Sequence, residues 1–215
     1  DCGGLVRIVD IAPEMPGAVE FVEKAKHLCT VSVAHTDSDY DHARDAFSAG
    51  ATHLTHLFNA MTPLAHRAPG VVTAALNSDV STELIVDTFH VNPAFYDMLF
   101  KLKGRKLCFI TDCLPAGGLP YGGYTLGGQK IIYRDIVCRL EDGTISGSVL
   151  KLNKGVWNVY TNSNIPLWEC VNCASLNPAK AIGVSDKKGS IEVGKDADLV
   201  ILDSEFNVLK TIKKG

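Results

Sequence analysis

No apolar run in the 215-residue sequence approaches the roughly 20 residues that a membrane-spanning helix needs. Nor does any stretch have the charged, apolar and small-residue layout of a secretion signal. Positive charge is not in surplus: 21 Lys and Arg face 24 Asp and Glu, for a net charge of −3 with both signs scattered. That excludes a basic footprint for nucleic acid. There is no internal repeat of fixed period and no low-complexity segment. A disulfide framework is also missing, because seven cysteines are odd in number, irregularly spaced and carried by a chain too large to need staples. Reduced thiols in the cytoplasm are the expectation. Cys170 and Cys173 form a CxxC with no second pair and with helical surroundings, which reads as packing and not as a zinc site. An initiating methionine is absent too: Asp1 runs directly into LVRIVDIAPE, as an excised segment would.

What remains is enough apolar material, 46% of residues, to bury one full core. Residues 5–11 form a strand candidate stopped by Pro13 and Pro16, and apolar positions at helical spacing follow over 17–29. Residues 30–34 give a second strand running to His35. Asp39 is a helix N-cap residue, and the spacing predicts a helix over 40–49 closed by Gly50. Residues 52–57 give a third strand leading to His56, followed by a polar loop at 62–70 and a helix over 71–77. Residues 83–86 are a fourth strand, followed by a loop that carries His90. A helix opens at Asn92 or Pro93 and ends at Gly104, and a fifth strand over 106–111 runs into Asp112. Strand, polar tip and helix, repeated, is the grammar of a parallel sheet with crossovers.

From Gly117 onward glycine-rich turns separate 130–133, 136–140 and 144–146, which read as hairpins. Helices follow at 152–161 and 167–176. Residues 188–215 read as short antiparallel strands of a small β domain. Five βα units are visible where a closed barrel of this kind has eight. Either the sheet is open or three units lie ahead of Asp1, and the edges near 5–11 and 106–111 are expected to be unpaired or covered by another chain.

In parallel sheets the chemistry gathers at the carboxyl ends of strands, where Glu14, His35, His56, His90 and Asp112 all fall. Two imidazoles delivered from adjacent strand ends suit zinc and its neighbours, although each histidine alone also fits a hydrogen-bonded core residue. Asp112 fits a general base beside an activated water or a turn cap. His90 fits a group that orients a substrate carbonyl or a loop histidine bonded to backbone. Arg67 fits a phosphate or carboxylate donor or a solvated loop arginine. Glu14 is the strand-end acid that position alone nominates as a third metal ligand.

Nine stretches occur in one order across essentially the whole chain: APE at 12–14, AHT at 34–36, GATHLTHLFNAM at 50–61, HRAPG at 66–70, VDTFHV at 86–91, LCFITD at 107–112, DGTISGS at 142–148, NPAKAIG at 177–183 and KGSIEVGKDADLVILD at 188–203. Together they resemble the later part of the N-acetylglucosamine-6-phosphate deacetylases, within the amidohydrolase superfamily. The resemblance implies a partial (β/α)8 TIM-like barrel over 1–183, with a hairpin insertion at about 117–148. Residues 184–215 would then be the strands of a small β-sandwich-type appendage. It implies a divalent metal ion, zinc foremost with iron, manganese, cobalt or nickel as alternatives, held by His35 and His56, and Asp112 as the catalytic aspartate. Asn59, Ala60, Arg67, Asp87, His90 and the Ile145, Ser146 and Gly147 loop would bind the substrate, with Arg67 on the phosphate.

The implied reaction removes the N-acetyl group of N-acetylglucosamine 6-phosphate, yielding glucosamine 6-phosphate and acetate. The implied setting is a cytoplasmic homodimer of a longer parent, with no nucleic-acid or membrane partner. Three departures stand out. The family's remaining metal ligand, a glutamate in an upstream Glu-Gly-Pro motif, has no counterpart here. The family's Asp-Gly-x-His loop has Thr88 in place of glycine. Cys113 replaces the alanine after the aspartate, where it would be a soft neighbour to a metal, and Val149 follows Ser-Gly-Ser. Two other readings stay open: a truncated or split fragment that acts only through assembly, and a dihydroorotase-like amide hydrolase.

Overall fold

The computed structural model describes residues 3–134 and 137–215. Five parallel strands, β1 (Ile8–Ile11), β2 (Thr30–Val33), β3 (His53–Leu54), β4 (Ser81–Ile85) and β5 (Leu107–Ile110), lie side by side in chain order. Helices α1 (Ala18–Ala25), α2 (Tyr40–Ala49), α3 (Gly70–Leu76) and α4 (Tyr96–Lys103) form the crossovers. This α/β arrangement is part of a (β/α)8 barrel wall. Among the described residues the barrel does not close, since β1 and β5 are the sheet's two edges.

The two faces of the sheet differ in chemistry, and the alternation along each strand is the cause. Val9, Ile11, Val31, Val33, Leu54, Leu84, Leu107 and Phe109 turn one way and pack with Val22, Ala43, Val71, Val72, Tyr96 and Leu99 of the helices. In-register neighbours Asp10, Ser32 and His53, and Glu83 with Cys108, hold the opposite face. That inner face is laced by polar contacts: Ser32 Oγ lies 2.7 Å from Thr55 Oγ1, which donates to Asp10 at 3.0 Å.

Several elements begin and end where local chemistry requires. Asp39 caps α2 by accepting the His42 amide at 2.9 Å, and Gly50 closes that helix at φ 126°. The strand expected over 5–11 is limited to β1, and the helix expected over 17–29 to α1. The strand expected over 52–57 is only two residues long, because the backbone at His56 turns left-handed (φ 31°) and leaves the ladder. The helix expected over 167–176 is two helices, α6 (Leu167–Ala174) and α7 (Leu176–Ala181), broken at Ser175. Pro178 sits in the first turn of α7, where its missing N–H costs nothing.

The glycine-rich segment is a four-stranded antiparallel sheet: β6 (Gly122–Leu126), β7 (Gln129–Arg134), β8 (Val137–Leu140) and β9 (Ile145–Ser148). The first of these strands was not expected. Its turn, Gly127–Gly128, has both φ values positive (55° and 84°), the geometry that matches strand twist in a two-residue hairpin. Ile136, expected to open the second of the three hairpin strands, lies outside the described residues. The sheet has its own small core of Ala116, Ile131 and Cys138. Helix α5 (Leu152–Thr161) follows as expected.

The last pair, β10 (Leu199–Leu202) and β11 (Val208–Ile212), is antiparallel. It is flanked by an ion cluster in which Lys188 meets Asp196 (2.5 Å) and Asp198, and Lys213 meets Asp198 (2.7 Å). The six described cysteines are free. Cys170 and Cys173 are fully buried in the main core, and burial pushes the Cys170 thiol up to about 11. Among the described residues no helix is long and apolar enough to cross a membrane.

Candidate active site

Because all five strands run the same way, the residues just past their carboxyl ends share one edge of the sheet. Glu14 follows β1, His35 follows β2, His56 follows β3, Asp87 and His90 follow β4, and Asp112 follows β5. Three of these have left-handed backbone, His35 (φ 44°), His56 (φ 31°) and Asp112 (φ 47°), as do Ala60 (φ 49°) and Thr88 (φ 74°). L-residues rarely adopt this region, and such strain clusters at functional sites.

The sharp turns bring His35 and His56 together. Their Nε2 atoms are 2.9 Å apart and the rings meet edge to face with centroids 4.6 Å apart. His35 is exposed, whereas His56 is buried and its Nδ1 has no partner. Two converging imidazole nitrogens are a borderline donor set that fits a divalent cation as two of its ligands. Among the described residues no group of three His, Cys, Asp or Glu side chains is placed to hold a metal.

Glu14, nominated by position as a third ligand, does other work. Its carboxylate accepts the Thr36 hydroxyl and the Asp37 amide (2.9 Å), so it braces the turn that follows His35. Burial opposes its ionisation, but the Thr36 hydroxyl and backbone amides outweigh that and hold the carboxyl below its ordinary range.

The loop after β3 is stitched to the loop after β2: the Thr36 amide donates to the Ala60 carbonyl at 3.0 Å. Asn59 turns its Nδ2 back onto the carbonyls of Leu57 (3.2 Å) and His56 (3.4 Å). Arg67 and Ala60 are exposed. After β4, Asp87 Oδ1 accepts the amides of Phe89 (2.8 Å) and His90 (2.9 Å), and Oδ2 lies 2.6 Å from His90 Nδ1. Burial would raise the Asp87 carboxyl, yet the His90 ring and these amides hold it below the usual value. With Nδ1 committed to Asp87, His90 presents Nε2.

Asp112 is exposed at the tip of β5. The Ile145–Ser148 strand docks against it: the Ser148 amide donates to the Asp112 carbonyl (3.0 Å), the Leu114 amide to the Ser148 carbonyl (2.9 Å), and the Ser148 hydroxyl to the Thr111 carbonyl. Gly147 has φ 105°, and a Cβ there would lie 2.8 Å from Leu114, so glycine is required for this approach. Cys113 Sγ donates to the Leu114 carbonyl at 3.5 Å. Burial, then the Asp112 charge, push that thiol up, which disfavours the thiolate that metals bind.

Two residues without an expected role also meet at this edge. His53, buried on β3, places Nε2 3.0 Å from Glu83 Oε1 on β4. The sequence signal is slight: Glu83 is the one acid in an otherwise uncharged strand, and nothing in the spacing pairs it with His53.

A parallel βα sheet with paired histidines and an aspartate at its carboxyl edge defines the class, and the chain belongs to the amidohydrolase family, which matches residues 11–215. More particularly, it is 44% identical over 218 residues to the N-acetylglucosamine-6-phosphate deacetylase of Bacillus subtilis (strain 168), covering 100% of this chain and 55% of that protein. The crystal structure of the Pasteurella multocida N-acetylglucosamine-6-phosphate deacetylase superposes with a TM-score of 0.95 at 38% identity, over 98% of this chain and 56% of that one. The Mycobacterium smegmatis deacetylase in complex with N-acetyl-D-glucosamine-6-phosphate gives 0.94 at 36% identity, over 99% and 57%. The chain thus spans about half the length of the curated relatives it matches.

Proposed function

We propose that this chain supplies the metal-holding histidines and the catalytic aspartate of a deacetylase that hydrolyses N-acetylglucosamine 6-phosphate to glucosamine 6-phosphate and acetate. The observation that carries this reading is the approach of the His35 and His56 Nε2 atoms to 2.9 Å, on the same sheet edge as Asp112. The names of the relatives supply the substrate class.

In this reading His35 and His56 hold a divalent ion, zinc foremost, with iron, manganese, cobalt or nickel as alternatives. When bound, the ion supplies Lewis acidity that lowers the pKa of water and polarises the amide carbonyl. Asp112 takes the proton of the attacking water and delivers it to the leaving nitrogen. His90, its Nδ1 on Asp87, turns Nε2 to the acetamido group or the sugar hydroxyls. Arg67 meets the phosphate with its planar donor fork, Asn59 and Ala60 contact the sugar phosphate, and Ile145, Ser146 and Gly147 close over the substrate. The barrel part is residues 1–183 with its β insertion at 117–148, and 184–215 belong to a small β domain. The longer protein is a cytoplasmic homodimer.

The test is acetate release by the complete protein that contains this chain. Asp112→Asn is expected to lower turnover by about 10²–10⁴-fold with metal content unchanged. Retained turnover with lost metal would overturn the assignment of roles. The lack of a third donor among the described residues favours a second reading for the 215-residue polypeptide alone, that it acts only by assembling with further chain. Catalytic zinc ordinarily has three protein ligands. Acetate release and about one metal per chain from the isolated polypeptide would dismiss that second reading.

A further inference from the structure

The peptide that carries His56 hangs on one residue of the neighbouring strand. Glu83 Oε2 accepts the His56 amide at 3.4 Å, and the Glu83 carbonyl accepts the Leu57 amide at 2.9 Å. The other carboxylate oxygen, Oε1, is engaged by His53 Nε2 at 3.0 Å. His53 is 2% exposed, and its Nδ1 has no partner, so Glu83 is its one side-chain contact through a ring nitrogen. His56 stands at φ 31°, a left-handed conformation that L-residues resist and that persists only where its surroundings over-determine it. Here the surroundings are Glu83 at the His56 amide, the Asn59 amide on the His56 carbonyl (3.0 Å) and the His35 ring against the imidazole.

We propose that Glu83, aimed by its contact with His53, is a positioning residue that fixes the left-handed turn at His56 and so directs the His56 ring at His35. Glu83 acts through the backbone of His56. An apolar side chain of similar size fills the same space but offers the His56 amide no acceptor. Glutamine offers an acceptor for that amide through its carbonyl oxygen and, through its NH2, a donor for His53 in the tautomer whose Nε2 is unprotonated. The consequence for metal binding rests on the proposed function, whereas the consequence for ring geometry does not.

The experiment uses Glu83→Leu and Glu83→Gln in the whole chain, with two readouts. The first is metal-free: the nuclear Overhauser contact between the His35 and His56 rings, with the hydrogen-exchange rate of the His56 amide. The second is the dissociation constant for Co(II). Glu83→Leu is expected to abolish the ring contact, deprotect the His56 amide and weaken Co(II) binding by about 10–100-fold, the range typical of lost outer-shell partners. Glu83→Gln is expected to restore the ring contact and to bind within about threefold of wild type. A folded Glu83→Leu variant with the ring contact and Co(II) affinity intact would overturn the proposal. Should that variant not fold, the wild type decides, because a His56 amide that exchanges at the unprotected rate overturns it equally. If the ring contact depends on Glu83 but wild type binds no Co(II), the positioning role stands and the metal reading of the pair falls.

Discussion

At the scale of single residues, the candidate site is a row of backbone turns that L-amino acids resist. His35, His56, Ala60, Thr88 and Asp112 all have positive φ; all but Ala60, which lies further along the loop after β3, fall two or three residues past a strand end. Thr88 is the least suited of them, because its β-branched side chain at φ 74° crowds the preceding turn. The resemblance pattern has glycine at this place. Thr88→Gly is therefore expected to raise stability by about 1 kcal/mol, the strain relieved exceeding the added unfolded-state entropy. A higher urea midpoint checks this, and a lower one would show that Thr88 contributes contacts worth more than its strain.

Asp87 carries a pH signature. Burial raises its carboxyl, but the His90 ring and two amides hold it below the ordinary 3.8. A carboxyl depressed in the folded state contributes stability that is fully present above the unfolded value and is lost as pH falls through the folded one. Asp87→Asn is thus expected to be less stable than wild type at pH 7, with the gap closing as pH drops below 3.8. Denaturation at stepped pH measures it; a gap independent of pH would mean that the residue acts by shape alone.

At the scale of elements, the sheet is tied to its last helices by a side chain and not by strand pairing. Asn177 on α7 is buried and donates through Nδ2 to the carbonyl of Leu107 on edge strand β5 at 2.9 Å. Asn177→Ala leaves that carbonyl unpaired, and a loss of about 1–3 kcal/mol is expected. Calorimetric unfolding gives the answer, and an unchanged midpoint would show that water replaces the amide. The element order was legible in the sequence because each strand is apolar on its outer face and is closed by a glycine, a proline or a cap such as Asp39. Strand β6 was hidden by its exposed, glycine-heavy composition, and the break at Ser175 by the continuous apolar spacing on either side. The histidine pair was legible as two strand-end imidazoles. The roles of Glu14, His53 and Glu83 were not, since each depends on which neighbour faces it across a strand, and residue spacing carries no record of that.

At the scale of the molecule, five βα units make one polar inner face and one apolar outer face, and the strand direction puts every candidate group at one edge. The four-stranded sheet is anchored at that same edge through Ser148, its last residue, to Thr111, Asp112 and Leu114. These bonds tie the four-stranded sheet directly to the aspartate tip. The approach of His35 and His56 to 2.9 Å at Nε2 is what makes the edge a candidate site, and the proposed reaction depends on a cation held there. The direct measurement is anomalous scattering at the zinc edge from crystals of the zinc-loaded complete protein. The account predicts one strong peak within bonding distance, about 2.0–2.1 Å, of both Nε2 atoms. A peak elsewhere, or His35 and His56 hydrogen-bonded to each other with no peak between them in a protein that releases acetate, would contradict it.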